Sequence, residues 1–284
     1  MARLTFALCI VVLVLSAVLR TDGFQLSMIA DGRRPLMGGN WKLNPRNGAA
    51  AAALATEVAK LTKGNLGVDV VVFPPHPYLV PVHTKIEATN VQLGGQDCFF
   101  ESEGAYTGAV STCILKDVGC KYVLCGHSER RTLFADDDTA IARKVKKVLT
   151  EGLKPVLCIG ETKEEYDAGL NQEVCAVQLL KDLQFVTKEE MKDVVFAYEP
   201  VWAIGTGLVC PADKAQEVHK FIRSVIAKKY GNDVAKKSII QYGGSVKPDN
   251  VKEIMAQPDI DGCLVGGASL TADSFAKIAN YNLS

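Results

Sequence analysis

The chain has 284 residues, 48% of them hydrophobic and 23% charged, with Lys plus Arg and Asp plus Glu both at 32. A formal charge of zero excludes a nucleic-acid binder that works through a basic surface, and the apolar content excludes an acidic disordered chain. Nine cysteines without a C-x-x-C pair, and four histidines (His76, His83, His127, His219) without an H-E-x-x-H, argue against a zinc site.

In chain order, the first 35 residues form a separate object. Arg3 precedes an uncharged run, Leu4 to Leu19, whose only polar residues are Thr5 and Ser16, and Arg20 ends it. A basic start, a short apolar stretch and polar residues beyond is the layout of a secretory signal. The run is slightly short for an uncleaved membrane anchor, which takes about 20 apolar residues. Thr21-Asp22-Gly23 suits a cut before Phe24. Residues 24–35 are short and basic, with Arg33 and Arg34, and read as a transit-like or linker segment. A signal followed by Gly-Phe and a hydroxylated, basic tail resembles the two-part targeting sequences of algae with secondary plastids. The expected division is thus a signal-like segment over 1–23, a linker over 24–35 and a folded domain over 36–284. The expected destination is a plastid, with secretion or the ER lumen as the alternative and no stable membrane association after processing.

From Leu36 onward one pattern repeats: a short apolar run ending in Gly or a polar residue, then a longer amphipathic segment. The runs are Leu36–Trp41, Val68–Phe73, Val91–Gln96, Tyr122–Gly126, Pro155–Gly160, Val194–Tyr198, Ser238–Tyr242 and Gly262–Gly266. Most are nearly all apolar, as strands buried on both faces of a parallel sheet are. Helices are predicted between them. Asn47–Lys63 is rich in Ala, Asp136–Glu151 opens with three Asp and closes with Lys and Arg, and Asp213–Tyr230 stops at Gly231. Eight such units in about 250 residues is the arithmetic of a single closed (β/α)8 barrel, a TIM barrel. An open doubly wound sheet would carry G-x-G-x-x-G after its first strand, where this chain has Gly38-Gly39-Asn40-Trp41.

Barrels of this kind carry their chemistry at the C-terminal ends of the strands. Those ends hold Asn40 and Lys42; Gln96 and Asp97; His127, Ser128 and Glu129; Cys158 and Glu161; Glu199; Tyr242 and Ser245; and Gly266 and Gly267. A cation, an imidazole and a carboxylate on three strands, with Gly-rich turns after the last two, are the parts needed to move a proton beside the carbonyl of a phosphorylated substrate.

Six motifs in order, G-G-N-W-K-L-N at 38–44, G-H-S-E-R-R at 126–131, C-I-G-E at 158–161, A-Y-E-P-V-W-A-I-G-T-G at 197–207, Y-G-G-S at 242–245 and L-V-G-G-A-S-L at 264–270, resemble the triosephosphate isomerase family from about Leu36 to about Ala279. The resemblance implies interconversion of dihydroxyacetone phosphate and D-glyceraldehyde 3-phosphate through an enediol(ate), with no metal and no cofactor. The family is itself the standard example of the pKa tuning involved. The resemblance makes Glu199 the base, His127 a neutral imidazole that polarises the carbonyl, and Lys42 the cation that stabilises the enediolate. Asn40 supports Lys42, and Glu129 hydrogen-bonds it. Val201, Trp202, Ala203, Ile204, Gly205 and Thr206 become a lid that closes and expels water. Gly205, Ser245, Gly266 and Gly267 offer backbone N–H groups to the phosphate, helped by a short helix starting near Gly267.

The family also implies a homodimer in which the loop after the third strand enters the partner, Thr107 buttressing Asn40 there. Three positions depart from its pattern: Asp97 stands for Asn, Ala109 for the Glu that pairs with Arg130, and Leu208-Val209-Cys210 for a hinge that usually starts with Lys. Asp97 is expected to take over Arg130, within its subunit or across the contact, with solvation of Arg130 by water as the alternative. Other phosphate-binding barrel enzymes share the glycine turns but lack the lid motif. A secreted, non-enzymatic use of the scaffold is disfavoured by the intact Asn40, Lys42, His127 and Glu199.

Overall fold

The computed structural model describes residues 33–283, so the segment 1–23 and most of 24–35 lie outside the described residues. Eight parallel strands close in sequence order, β1 next to β2 and β8 back on β1. They are β1 Leu36–Asn40, β2 Asp69–Phe73, β3 Val91–Gly95, β4 Tyr122–Cys125, β5 Lys154–Ile159, β6 Val195–Tyr198, β7 Ile239–Tyr242 and β8 Gly262–Val265. Each sequence-predicted strand is there within a residue at either end.

Two-residue alternation sorts the strands into two cores. Val71 and Phe73, Tyr122 and Leu124, Val156 and Cys158, and Val195 and Ala197 pack with Leu36 and Leu264 inside the barrel. Their neighbours Val70, Val72, Val123, Cys125, Leu157 and Phe196 face outward into a larger cluster beneath the helices. With both faces covered, the strands carry no polar face, and that is why they read as continuous apolar runs.

The Ala-rich helix runs Gly48–Thr62, capped by Asn47, whose side chain accepts from the Ala50 N–H. The segment that opens with three Asp forms the helix Asp138–Thr150, and only Asp137 caps it, accepting from Ala140. Asp136 lies before the cap and turns its carboxylate to Arg130 and Lys144 instead. Gly231 ends the helix Ala212–Tyr230 at φ 102°, ψ 157°, and the next helix, Asn232–Lys237, follows at once. Among the described residues no helix is long and apolar enough to cross a membrane.

Arg33 and Arg34, at the end of the segment read as a linker, are tied to the barrel floor. Arg33 donates to the buried Asp261 at 2.8 Å and to the Pro258 carbonyl, and Arg34 pairs with Asp69. Asp261 also holds Arg223 at 2.6 Å, so Arg33 joins a buried charge cluster, while Arg34 and Asp69 form a separate pair. Of the four histidines, His219 is a core residue: Nδ1 donates to the Ala215 carbonyl at 2.7 Å, and burial pushes its pKa down to about 4.

Candidate active site

At the end of β1 the chain turns through Trp41 into Lys42, which has φ 52°. Asn40 stabilises this turn by accepting the Lys42 N–H on Oδ1 at 3.0 Å, and Gln96 donates to the Lys42 and Phe73 carbonyls at 2.8 Å each. The turn aims the Lys42 ammonium at Glu129, with Nζ 2.7 Å from Oε1. The pairing that the resemblance implied between Glu129 and the site lysine is therefore present.

His127 stands two residues beyond β4 and caps the helix Ser128–Leu133. Its Nδ1 accepts the Glu129 N–H at 3.2 Å. An acceptor nitrogen carries no proton, so the imidazole is neutral and its proton sits on Nε2. Nε2 lies 3.2 Å from Oε1 of Glu199. The Glu199 carboxylate is 2% exposed and is held on its other oxygen by the Ser128 N–H at 2.9 Å. It thus hangs beside the N-terminus of the Ser128–Leu133 helix, between β4 and β6, facing the cavity.

Asn40, Lys42, His127 and Glu199 line one cavity of about 410 Å³, together with Gly205, Ser245, Gly266 and Gly267. The Ser245 turn and the single 3-10 turn Gly267–Leu270 form its far wall. Ser269 ties this 3-10 turn to the Gly266 carbonyl with Oγ at 2.6 Å. The segment expected to act as a lid splits in two. Val201–Ala203 is a 3-10 turn with Trp202 and Ala203 buried, whereas Gly205 through Val209 are exposed. Thr206 links the halves by donating from Oγ1 to the Trp202 carbonyl at 2.8 Å.

Two functional residues carried no role in the sequence reading. Glu161, fully buried, accepts from Trp202 Nε1 at 2.8 Å and from Tyr198 Oη at 3.0 Å, anchoring the Val201–Ala203 turn. Burial pushes its carboxyl pKa up, and these donors oppose the shift. Its place in C-I-G-E was visible, but the sequence does not reveal that two aromatic donors 37 and 41 residues away converge on it. Gly160 is the second: a Cβ there would lie 1.7 Å from the Glu199 carbonyl oxygen.

Asp97 and Arg130 meet within one subunit, with Oδ2 3.0 Å from Nε. Lys144 bridges Asp97 and Asp136 at 2.8 and 2.6 Å, and Asp136 also takes Arg130 at 2.8 Å. Burial pushes the Asp97 carboxyl pKa up, while Lys144 and Arg130 pull it back. Ala109 lines the same recess and leaves it without a further carboxylate. Thr107 is exposed on the loop between Phe99 and Val110, which is closed by the Phe99 N–H to the Val110 carbonyl at 2.8 Å.

A family profile described as triosephosphate isomerase matches residues 35–282. The chain belongs to the triosephosphate isomerase family. Curated triosephosphate isomerases resemble it along nearly their whole length. The one from Carboxydothermus hydrogenoformans is 50% identical over 251 residues, 88% of this chain and 100% of the relative. That of Geotalea uraniireducens is 47% identical over 250 residues, covering 88% and 99%. That of Fusobacterium nucleatum is 48% identical over 246 residues, covering 87% and 98%.

Proposed function

We propose that this isomerase interconverts dihydroxyacetone phosphate and D-glyceraldehyde 3-phosphate by moving one proton through Glu199. The observation that carries the reading is the convergence of Glu199, His127 Nε2 and Lys42 on one cavity walled by glycine turns. The Glu199 carboxylate leaves the Ser128 N–H and takes a proton from the carbon bearing the hydroxyl. The neutral His127 donates its Nε2 proton toward the carbonyl oxygen, and Lys42 and Asn40 stabilise the charge that develops there. Glu199 then returns its proton to the neighbouring carbon, while the imidazole moves the hydroxyl proton between the two oxygens. Gly205, Ser245, Gly266 and Gly267 present N–H groups to the phosphate. The exposed half of the lid folds down on this end, excluding water that would let the enediol lose phosphate. A coupled assay of glyceraldehyde 3-phosphate formation tests the reading. Turnover is expected with or without EDTA, and no turnover in either case would contradict it.

We infer a homodimer as the working form. Leu43 (91% exposed), Leu133 (72%) and Phe134 (63%) line a groove of about 430 Å³ next to Lys42 and His127, an apolar rim that suits a second copy's 99–110 loop. The Asp97–Arg130–Lys144–Asp136 cluster forms part of the floor between groove and loop. Removing one member of a partly buried charge cluster leaves its partners unbalanced. Asp97→Asn is therefore expected to raise the dimer dissociation constant about tenfold, near 1.4 kcal/mol. Adding Ala109→Glu to that variant should restore it. Sedimentation across a dilution series checks this, and equal constants for wild type and Asp97→Asn would sink the assignment.

The compartment we propose is a plastid interior reached through the secretory-type signal. The eight cysteines among the described residues are all free and seven are buried, which suits a reducing compartment. A fluorescent fusion of residues 1–36 should collect inside the plastid; collection in the culture medium or the ER lumen would contradict this.

A further inference from the structure

Four of the cavity's lining residues can carry charge, and three have a settled partner. Lys42 is committed to Glu129 at 2.7 Å, so that pair is neutral. His127 is a neutral imidazole whose Nε2 lies 3.2 Å from Oε1 of Glu199. Glu199 is an anion and leaves the cavity with a net negative charge before substrate arrives. A triose phosphate brings about two more negative charges at neutral pH, since its second ionisation lies near pH 6. Backbone N–H groups of the glycine turns offer dipoles to that dianion but no whole charge.

The fourth is Lys247. It is exposed, it lines the cavity two residues beyond Ser245, and among the described residues its ammonium has no carboxylate partner. Its root is fixed although its tip is free. Asn250 grips the turn from both sides, donating from Nδ2 to the Ser245 carbonyl at 3.0 Å and accepting the Lys247 N–H on Oδ1 at 2.8 Å. The Asn250 and Val251 N–H groups close back on the Lys247 carbonyl at 3.2 and 3.1 Å. Between Ser245 and Lys247, the buried Val246 anchors the segment to the core. The same short turn therefore carries the Ser245 N–H assigned to the phosphate and, at its rim, an unpaired cation.

We propose that Lys247 recruits the substrate: its uncommitted ammonium at the mouth offsets the Glu199 charge and draws the phosphate dianion onto the Ser245 turn. This rests on the reading of the cavity as a triose-phosphate site. The effect is electrostatic and solvent-exposed, so it acts on capture and is screened by salt, with a Debye length of about 30 Å at 0.01 M and about 3 Å at 1 M. The proton-transfer groups lie deeper, so kcat is not where the effect is read.

The test is a charge series at this one exposed position, where folding is not at stake: Lys247→Arg, Lys247→Gln and Lys247→Glu. At about 0.01 M ionic strength the Arg variant should keep wild-type kcat/KM. The Gln variant should lose about 3- to 10-fold and the Glu variant about 10-fold or more, mainly through KM. At about 1 M salt the three should converge. Calorimetric titration with inorganic phosphate should give the same order of affinities without any turnover. Gln and Glu variants within about 1.5-fold of wild type at low salt would overturn the proposal, as would a spread that high salt leaves intact. If the wild type fails to isomerise triose phosphates but phosphate affinity still follows the charge series, the substrate reading falls and the anion-recruiting role of Lys247 stands.

Discussion

Glu199→Gln is expected to lower kcat about 10²- to 10⁴-fold in both directions, the usual contribution of a positioned general base. The amide has the shape of the carboxylate, so its oxygen can still accept the Ser128 N–H now 2.9 Å from Oε2. The side chain is 2% exposed and no volume changes, so melting temperature and circular dichroism should stay close to wild type. What disappears is the basic lone pair that removes a carbon-bound proton. Turnover within about threefold of wild type would show that another group is the base.

Gly160→Ala should also be severe, by a different route. The added Cβ would stand 1.7 Å from the Glu199 carbonyl oxygen and 2.6 Å from its carbon, so it meets backbone and not the end of a flexible side chain. Gly160 cannot retreat, because Gln178 holds it from behind: its Oε1 accepts the Gly160 N–H at 2.9 Å and its Nε2 donates to the carbonyl at 3.2 Å. The backbone of Glu199 must move instead. Overpacking of this kind costs about 1–3 kcal/mol of stability. A shift of about 1 Å in a reacting group costs about 10²-fold in rate. The variant should therefore melt earlier and turn over about a hundredfold more slowly, measurable by calorimetry and by kcat. Unchanged melting with wild-type kcat would mean that the strand ends yield without moving the carboxylate.

The strands were legible because each is covered on both faces. Val70 to Phe73 alternate between helix layer and barrel interior and are apolar toward both. The positions proposed for proton transfer could be read because each sits just past a strand end, as His127 does after Cys125 and Glu199 after Tyr198. Relations between distant segments were not. The need for glycine at 160 lies in the approach of β5 to β6, and the role of Glu161 lies in two aromatic donors from beyond the next helices. Asp136 read as a helix-starting acid, yet its partners are Arg130 and Lys144, side chains that only the folded loop brings near. Arg33 read as part of a basic linker because its partner Asp261 lies 228 residues away.

The most direct measurement is isotopic. Dihydroxyacetone phosphate is incubated with the enzyme in deuterium oxide, and the products are analysed by proton NMR. Transfer through an exchangeable carboxyl proton on Glu199 should give glyceraldehyde 3-phosphate carrying deuterium at C2, with or without EDTA, and Glu199→Gln should give about 10²-fold less or lower. No aldehyde product from the wild type, or deuterated product formed equally fast by Glu199→Gln, would contradict the account.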